Sequence, residues 1–188
     1  GVQTCALPIL GLGKTIQVLA LLDSWRQDPK RKKLFPQHRP SLLVVPKSLI
    51  FNWQAEAVKF TPQLRVLDFS GVARAAVRDQ IANCDVILTT YGTLRRDIFW
   101  LKDLEFDYVI LDEAQAIKNA DSQTAKATLL LNAQHRLAIS GTPVENRLSD
   151  LWSIFEFLNP GMLGSSRAFA ELGQEADQER SEEHTSEL

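Results

Sequence analysis

Four apolar runs that each end in polar residues constrain the fold of this 188-residue chain most strongly. Segments with helical spacing separate the runs, so strands are predicted to alternate with helices. This alternation favours an α/β fold with a doubly wound, mostly parallel sheet. Because the carboxyl ends of parallel strands meet at one edge, we expect the polar residues to line a ligand crevice there. They are Pro46-Lys47-Ser48, Thr89-Thr90-Tyr91, Asp112-Glu113 and Ser140-Gly141-Thr142.

The segment 27–40 contains three prolines and a charge run, which predicts a loop before the first of these strands. Its basic run Lys30–Lys33 could bind phosphate, but a solvated loop is favoured. Trp53 and Trp152 have helical spacing among apolar residues and are predicted to lie in the core rather than to stack on bases. His135 is expected at the surface, and the sequence has no metal-type cluster of His and Cys.

The pentapeptide Gly11-Leu12-Gly13-Lys14-Thr15 opens a segment with helical spacing. It matches the second half of the phosphate-binding loop G-x-x-x-x-G-K-[ST]. In such a loop the glycines let backbone N–H groups approach phosphate, Lys14 reaches the terminal phosphates, and the Thr15 hydroxyl binds Mg²⁺. The full pattern requires a glycine at position 8, which is Pro8 here. A glycine turn before an ordinary helix is the alternative for these residues alone.

The interrupted motif has an explanation at the nucleotide level. The string AGATCGGAAGAGCACACGTCTGAACTC encodes residues 180–188, and its reverse complement, read from the third base, encodes residues 2–9. One string therefore accounts for both termini, so we interpret residues 1–9 and 180–188 as translated sequencing adapter. The native strand that feeds the P-loop would then be missing. The sheet would lose backbone partners unless residues 4–10 fill its place.

Composition limits the classes of function. Without those two termini 170 residues remain, enough for one domain with a sizeable core. They carry 20 basic and 20 acidic residues, so any nucleic-acid contact needs a local patch. Cys84 is the single cysteine among them, which excludes a disulfide framework and suits a reducing compartment. The sequence shows no signal peptide and no apolar run of membrane-spanning length.

The run YVILDEAQ places Asp112 and Glu113 after a hydrophobic strand. An Asp there can hold the Mg²⁺ of a nucleoside triphosphate, and a neighbouring Glu can activate the attacking water. An acidic pair that caps a helix is the alternative. Together with the upstream GKT loop, the run predicts an NTPase site with ATP and Mg²⁺ as cofactors.

These motifs, in this order, resemble those of superfamily-two helicases and specifically the SWI/SNF family of DNA-translocating ATPases. GLGKTIQVLALL resembles motif I, VILDEAQAIKN resembles motif II, and LAISGTPVENRLSDLWSIFEFLNPGMLG resembles motif III with its helix. LLVVPKSLIFNWQAEAVKF and VILTTYGTLRRD resemble the two DNA-side segments. The resemblance implies a RecA-like P-loop lobe over residues 10–164, truncated before the P-loop strand, and the start of a helical insertion over residues 165–179. Gln115, where His is commoner, points to bacterial members and a cytoplasmic rather than nuclear protein.

The resemblance also implies roles for individual residues. ATP contacts are expected at Gly11, Gly13, Lys14 and Thr15, and Mg²⁺ ligands at Thr15 and Asp112. Water activation is expected at Glu113, and coupling of nucleotide to DNA at Gln115, Ser140, Gly141 and Thr142. DNA phosphates are expected at Lys47, Ser48, Thr90 and Arg95, although helix capping also explains such residues.

The implied activity is DNA-dependent ATP hydrolysis, with translocation on duplex DNA and remodelling of bound proteins. It requires a second RecA-like lobe in the same protein to supply an arginine, so the isolated lobe is expected to be inactive. A nucleotide- or DNA-binding module without turnover is the alternative. Fold alone does not decide between them.

Overall fold

The computed structural model describes residues 4–8, 13–34, 37–141 and 148–164, and these residues contain one six-stranded sheet. Its order is β1-β6-β5-β2-β4-β3, and every pairing in it is parallel. The prediction of a doubly wound parallel sheet is confirmed. The strands are β1 (Thr4–Pro8), β2 (Ser41–Val45), β3 (Val66–Asp68), β4 (Val86–Thr90), β5 (Glu105–Leu111) and β6 (Asn132–Ser140).

Helices connect the strands, and two of these helices are capped by short side chains. The Thr90 hydroxyl accepts from the backbone N of Thr93 in the helix that begins at Tyr91, and the Ser122 hydroxyl accepts from that of Ala125 in the helix that begins at Gln123. In the part of the chain that the structure describes, 3-10 helices span Lys47–Leu49, Val72–Asn83 and Ala114–Ile117. The α-helices are α1 (Lys14–Gln27), α2 (Pro29–Leu34), α3 (Ile50–Phe60), α4 (Tyr91–Leu101), α5 (Gln123–Leu129) and α6 (Leu148–Leu158).

The central strands β2, β4 and β5 are buried on both faces, and their side chains alternate between two cores. In β2, Leu42 and Val44 belong to the core that also contains residues of α4, α5 and α6. Leu43 and Val45 belong to the opposite core, with residues of α1 and α3. This period of two explains why the strand sequences are continuously apolar rather than alternating with polar residues.

The register of the strands brings their carboxyl ends to one edge of the sheet. Val45 at the end of β2 lies opposite Thr90 at the end of β4. Leu111 at the end of β5 lies opposite Val44 on one side and Ala138 of β6 on the other. The polar residues that follow these strands therefore share an edge, as the sequence predicts.

Residues 4–8, which we interpret from the sequence as translated adapter, form the edge strand β1. It pairs in parallel with β6, from Thr4 opposite Arg136 to Pro8 opposite Ser140. The strand position before the P-loop is thus filled, in line with the alternative that residues 4–10 occupy the gap. Ladder pairing uses backbone groups alone, and an edge strand tolerates a proline that lacks an N–H.

The segment 27–40 departs from its prediction as a solvated loop, because it contains α2 and a buried ion pair. Arg31 in α2 donates from Nε to Oδ2 of Asp107 over 2.5 Å, and from Nη2 to the backbone O of Arg39 over 3.1 Å. The basic run was expected to be solvated, and for Arg31 this is wrong. Asp107 lies inside the sheet, and a buried carboxylate requires a hydrogen-bonded cation.

His135 is buried, so its prediction as a surface residue is wrong. It belongs to β6, which lies between β1 and β5, and its ring packs 4.7 Å from that of Tyr108 and 4.8 Å from that of Trp25. Burial lowers the pKa of His135, although the nearby Asp107 opposes this shift. The prediction that Trp53 lies in the core is confirmed, whereas Trp152 is only partly buried.

Candidate active site

The phosphate-loop sequence ends where α1 begins. Gly13 precedes the helix with φ 94° and ψ 1°, a left-handed conformation that favours glycine. A Cβ at this position would meet nothing within 4 Å, so backbone conformation rather than space selects the residue. First-turn N–H groups of a helix have no intrahelical partner and can bind phosphate. Gly11 lies outside the described residues.

The GKT and DE motifs meet at the shared edge of the sheet. The Nζ atom of Lys14 lies 4.0 Å from Oε1 of Glu113. Gly141, which follows β6, lies beside this pair: a Cβ there would lie 3.0 Å from Lys14 Nζ and 3.1 Å from Glu113 Oε1. Three predicted site residues that are distant in sequence therefore form one cluster.

Asp112 is a buried carboxylate with both oxygens hydrogen-bonded. The indole Nε1 of Trp53 donates to Oδ2 over 2.9 Å, and the backbone N of Glu113 donates to Oδ1 over 3.0 Å. Burial raises the pKa of Asp112, while the Trp53 hydrogen bond opposes the rise. The Tyr91 hydroxyl donates to the backbone O of Asp112 over 2.7 Å. These contacts fix the orientation of the carboxylate at the end of β5.

Glu113 is the only non-glycine residue with positive φ in the described part of the chain, at φ 52° and ψ 57°. Such a conformation is costly for a glutamate and persists only where surrounding contacts hold it. Here Gln115 donates from Nε2 to Oε2 over 2.7 Å, and the backbone N of Gly141 donates to the same oxygen over 3.3 Å. The left-handed turn separates Glu113 from Asp112, so the two carboxylates have different environments.

A hydrogen-bonded chain continues from Glu113 to the end of β6. The amide of Gln115 bonds Glu113 through its nitrogen and accepts from the Ser140 hydroxyl at Oε1 over 3.2 Å. Because an amide both donates and accepts, Gln115 can transmit a change at one end to the other. The sequence predicted both residues for coupling, and the structure brings them together. Thr142 lies outside the described residues.

The residues predicted to contact DNA have different surroundings. Lys47 and Ser48 are exposed on the 3-10 helix Lys47–Leu49, and Arg95 is exposed on α4. Thr90 is buried, and its hydroxyl caps α4 by accepting from the N of Thr93 over 3.1 Å. The geometry of Thr90 favours the capping role.

Residues 10–188 match the profile of the SNF2-related domain. The chain belongs to this family. It is 41% identical over 165 residues to an uncharacterised ATP-dependent helicase of Mycoplasma genitalium, and 38% identical over 169 residues to the TATA-binding protein-associated factor MOT1 of Saccharomyces cerevisiae. Each match covers 86% of this chain, but only 15% and 9% of those relatives.

This SNF2-related domain also resembles a solved structure, the SWI2/SNF2 ATPase core of Sulfolobus solfataricus in complex with double-stranded DNA. The TM-score is 0.79 at 40% sequence identity, and the match covers 91% of this chain and 34% of that one. The sequence-based assignment to a RecA-like lobe of the SWI/SNF type is thereby confirmed. No helix among the described residues of the domain has the length and apolarity needed to cross a membrane.

Sequence reasoning missed two residues at the site of this SNF2-related domain, Trp53 and Tyr91. Trp53 was predicted as core, which is right, but its indole N–H also binds Asp112. Tyr91 was noted only as a polar residue after β4, yet its hydroxyl binds the backbone of Asp112. The available signal was that Trp and Tyr each carry one polar atom that needs a partner when buried.

Proposed function

We propose that this SNF2-related domain is the ATP-binding lobe of a DNA-dependent ATPase that translocates on duplex DNA and remodels protein–DNA complexes. The observation that carries the proposal is the contact of Lys14 with Glu113, 4.0 Å apart beside Gly141. It joins a phosphate-binding cation to a carboxylate able to activate water. The names of the relatives, an ATP-dependent helicase and a SWI2/SNF2 ATPase core with double-stranded DNA, support the same activity.

The phosphates of ATP would be held at the start of α1. Gly11 and Gly13 would bring backbone N–H groups close to phosphate oxygens, and the helix N-terminus adds a favourable dipole. Lys14 would bind the terminal phosphates and leave its contact with Glu113 when it does so. A phosphate group thus replaces a carboxylate as the partner of the same ammonium.

The donor set at the site fits Mg²⁺, whose preferred ligands are oxygens and which keeps several waters in proteins. The Thr15 hydroxyl and the Asp112 carboxylate would be the two protein ligands. Each carboxylate oxygen of Asp112 accepts one protein hydrogen bond and retains a second lone-pair site. The ion would neutralise the charge that develops on the phosphates during transfer.

Glu113 would orient and deprotonate the attacking water. Its Oε2 is held by Gln115 and by the backbone N of Gly141, so Oε1 is the atom that turns to the water once Lys14 has bound phosphate. The side chain is 29% exposed, which leaves it open to solvent. Asp112 is held by other donors, so the two carboxylates can perform different tasks.

Coupling to DNA would pass through the chain of Gln115 and Ser140, together with Gly141 and Thr142. Lys47, Ser48 and Arg95 would contact the phosphates of one strand, since such contacts position a protein without reading sequence. Thr90 would act there by fixing the start of α4.

Full activity would need a second RecA-like lobe in the longer protein. The arginine that such a lobe supplies is worth about 10³–10⁵ in rate, so the lobe by itself would turn over ATP very slowly. We place the protein in the bacterial cytoplasm on the basis of Gln115, although its relatives include both bacterial and eukaryotic proteins.

The deciding experiment measures ATP hydrolysis by a full-length parent protein with and without duplex DNA. We expect DNA to raise the rate. If no form of DNA changed the ATPase rate, this result would contradict the translocase proposal. It would favour the alternative of a binding module without turnover. Single-stranded DNA of the same length is the control for simple charge effects.

A further inference from the structure

Two aromatic side chains bind Asp112 from two different helices. Trp53 in α3 donates its indole N–H to Oδ2 over 2.9 Å, and Tyr91 at the start of α4 donates its hydroxyl to the backbone O over 2.7 Å. One therefore holds the carboxylate and the other holds the main chain of the same residue. Neither contact belongs to the roles proposed above for ATP, Mg²⁺ or water.

The proposed DNA contacts lie on α4 and on the 3-10 helix directly before α3. The 3-10 helix Lys47–Leu49 runs directly into α3, and Trp53 lies in the first turn of α3. Tyr91 is the first residue of α4, and Arg95 follows it by four residues, about one helical turn. Each aromatic donor is therefore joined to a proposed phosphate contact through a short, rigid stretch of helix.

Trp53 and Asp112 are packed tightly enough to move together, and Tyr91 is partly buried beside them. Trp53 is 2% exposed and Asp112 is 6% exposed. Packed interiors have low compressibility, so a shift of α3 or α4 reaches the carboxylate rather than being absorbed by voids. The hydrogen bond from Trp53 has a carboxylate acceptor, and such bonds are strong and depend on direction.

We infer that Trp53 and Tyr91 are positioning residues that couple binding of duplex DNA to the orientation of Asp112. The inference rests on the proposed function. Phosphate contacts at Lys47 or Arg95 bias the position of α3 or α4, and the two donors carry that bias to Asp112. By linkage, DNA then alters nucleotide affinity and nucleotide alters DNA affinity by the same factor.

The test measures equilibrium binding of a fluorescent, non-hydrolysable ATP analogue with Mg²⁺ to the full-length parent. The ratio of Kd values without and with duplex DNA reports the coupling. We expect Trp53→Phe and Tyr91→Phe to reduce this ratio, each by about two- to thirtyfold, the range for residues that link two sites. The double variant should lose less than the product of the single losses, because both donors act on Asp112.

Matched variants separate coupling from general disturbance of the fold. Trp100→Phe makes the same Trp-to-Phe change in α4, where the indole stacks on Phe69, and Tyr108→Phe removes a hydroxyl from the core that also contains Trp53. Both should keep the parental ratio. If Trp53→Phe does not fold, Tyr91→Phe decides, since it removes a single oxygen.

An unchanged ratio in both Trp53→Phe and Tyr91→Phe, or a parent whose nucleotide affinity ignores DNA, overturns the inference. The proposed function is judged separately by DNA-stimulated hydrolysis in the same parent. A parent that hydrolyses ATP faster with DNA, but whose variants keep its coupling ratio, therefore loses only the inference.

Discussion

The guanidinium of Arg31 lies 2.5 Å from the carboxylate of Asp107, and this ion pair links α2 to strand β5 of the sheet. Both side chains are buried, with 9% and 2% exposed. Removing one partner leaves an uncompensated buried charge, which costs far more than removing an exposed charge. The contact should therefore matter for folding, although it lies apart from the candidate active site.

Arg31→Met should lower the free energy of unfolding by about 3–5 kcal/mol, because Asp107 would stay buried without its cation. Urea denaturation of the full chain measures the change. Lys33→Met is the matched control, since Lys33 is exposed on the same helix. Equal losses in the two variants would contradict the role given to the pair.

We expect the chain to show a sharp thermal transition that deletion of residues 1–9 abolishes, because β6 would lose one of its two partner strands. The backbone groups left unpaired on that side are costly when buried. Replacing residues 4–8 with an unrelated run of β-branched residues should preserve the transition, since pairing uses the backbone. A sharp cooperative transition in the purified 10–179 segment would show that β1 contributes little.

Lys14→Ala should remove most ATP binding, since it deletes the ammonium directed at the terminal phosphates. Equilibrium binding of a labelled nucleotide analogue measures the loss, with Lys33→Ala as the control for a change of one surface charge. Parental affinity in Lys14→Ala would show that the phosphates bind elsewhere.

Glu113→Gln should keep nucleotide binding and remove turnover in the full-length parent. The amide is nearly isosteric but far less basic, and Asp112 remains to hold Mg²⁺. Parallel measurements of ATP hydrolysis and nucleotide Kd separate the two effects. Hydrolysis at the parental rate would contradict the role of Glu113 in activating water.

Lys47→Ala should weaken DNA binding and reduce the slope of log K against log salt by about one phosphate contact. Nucleotide affinity in the absence of DNA should stay as in the parent. The control is Lys59→Ala, which removes an exposed lysine near the other end of α3. An identical slope in the parent and in Lys47→Ala would remove Lys47 from the proposed DNA contact.

The meeting of Lys14 with Glu113 could be predicted from sequence because parallel strands impose it. Once the apolar runs are taken as strands of one sheet, their carboxyl ends must share an edge, and the polar residues there become neighbours. The link between Gln115 and Ser140 follows from the same geometry. These parts of the site depend on topology more than on details of packing.

Other contacts could not be predicted, because they depend on which polar atoms become buried together. Arg31 and Asp107 are 76 residues apart, and nothing in the run PKRKKL shows that one of its cations points inward. Trp53 reads as an apolar residue of α3 until Asp112 lies beside its indole N–H. His135 looked like a surface residue because the start of β6 could not be located from the sequence.

The edge strand β1 has a consequence for how this sheet could be assembled. Five residues of β1 pair with β6 through main-chain atoms. The position beside β6 therefore selects a strand by its length and extended shape. Such a position is suited to strand complementation, in which a separate peptide supplies the missing strand in trans. The lobe would then fold only when the peptide is present, and the folded fraction would rise with the peptide concentration.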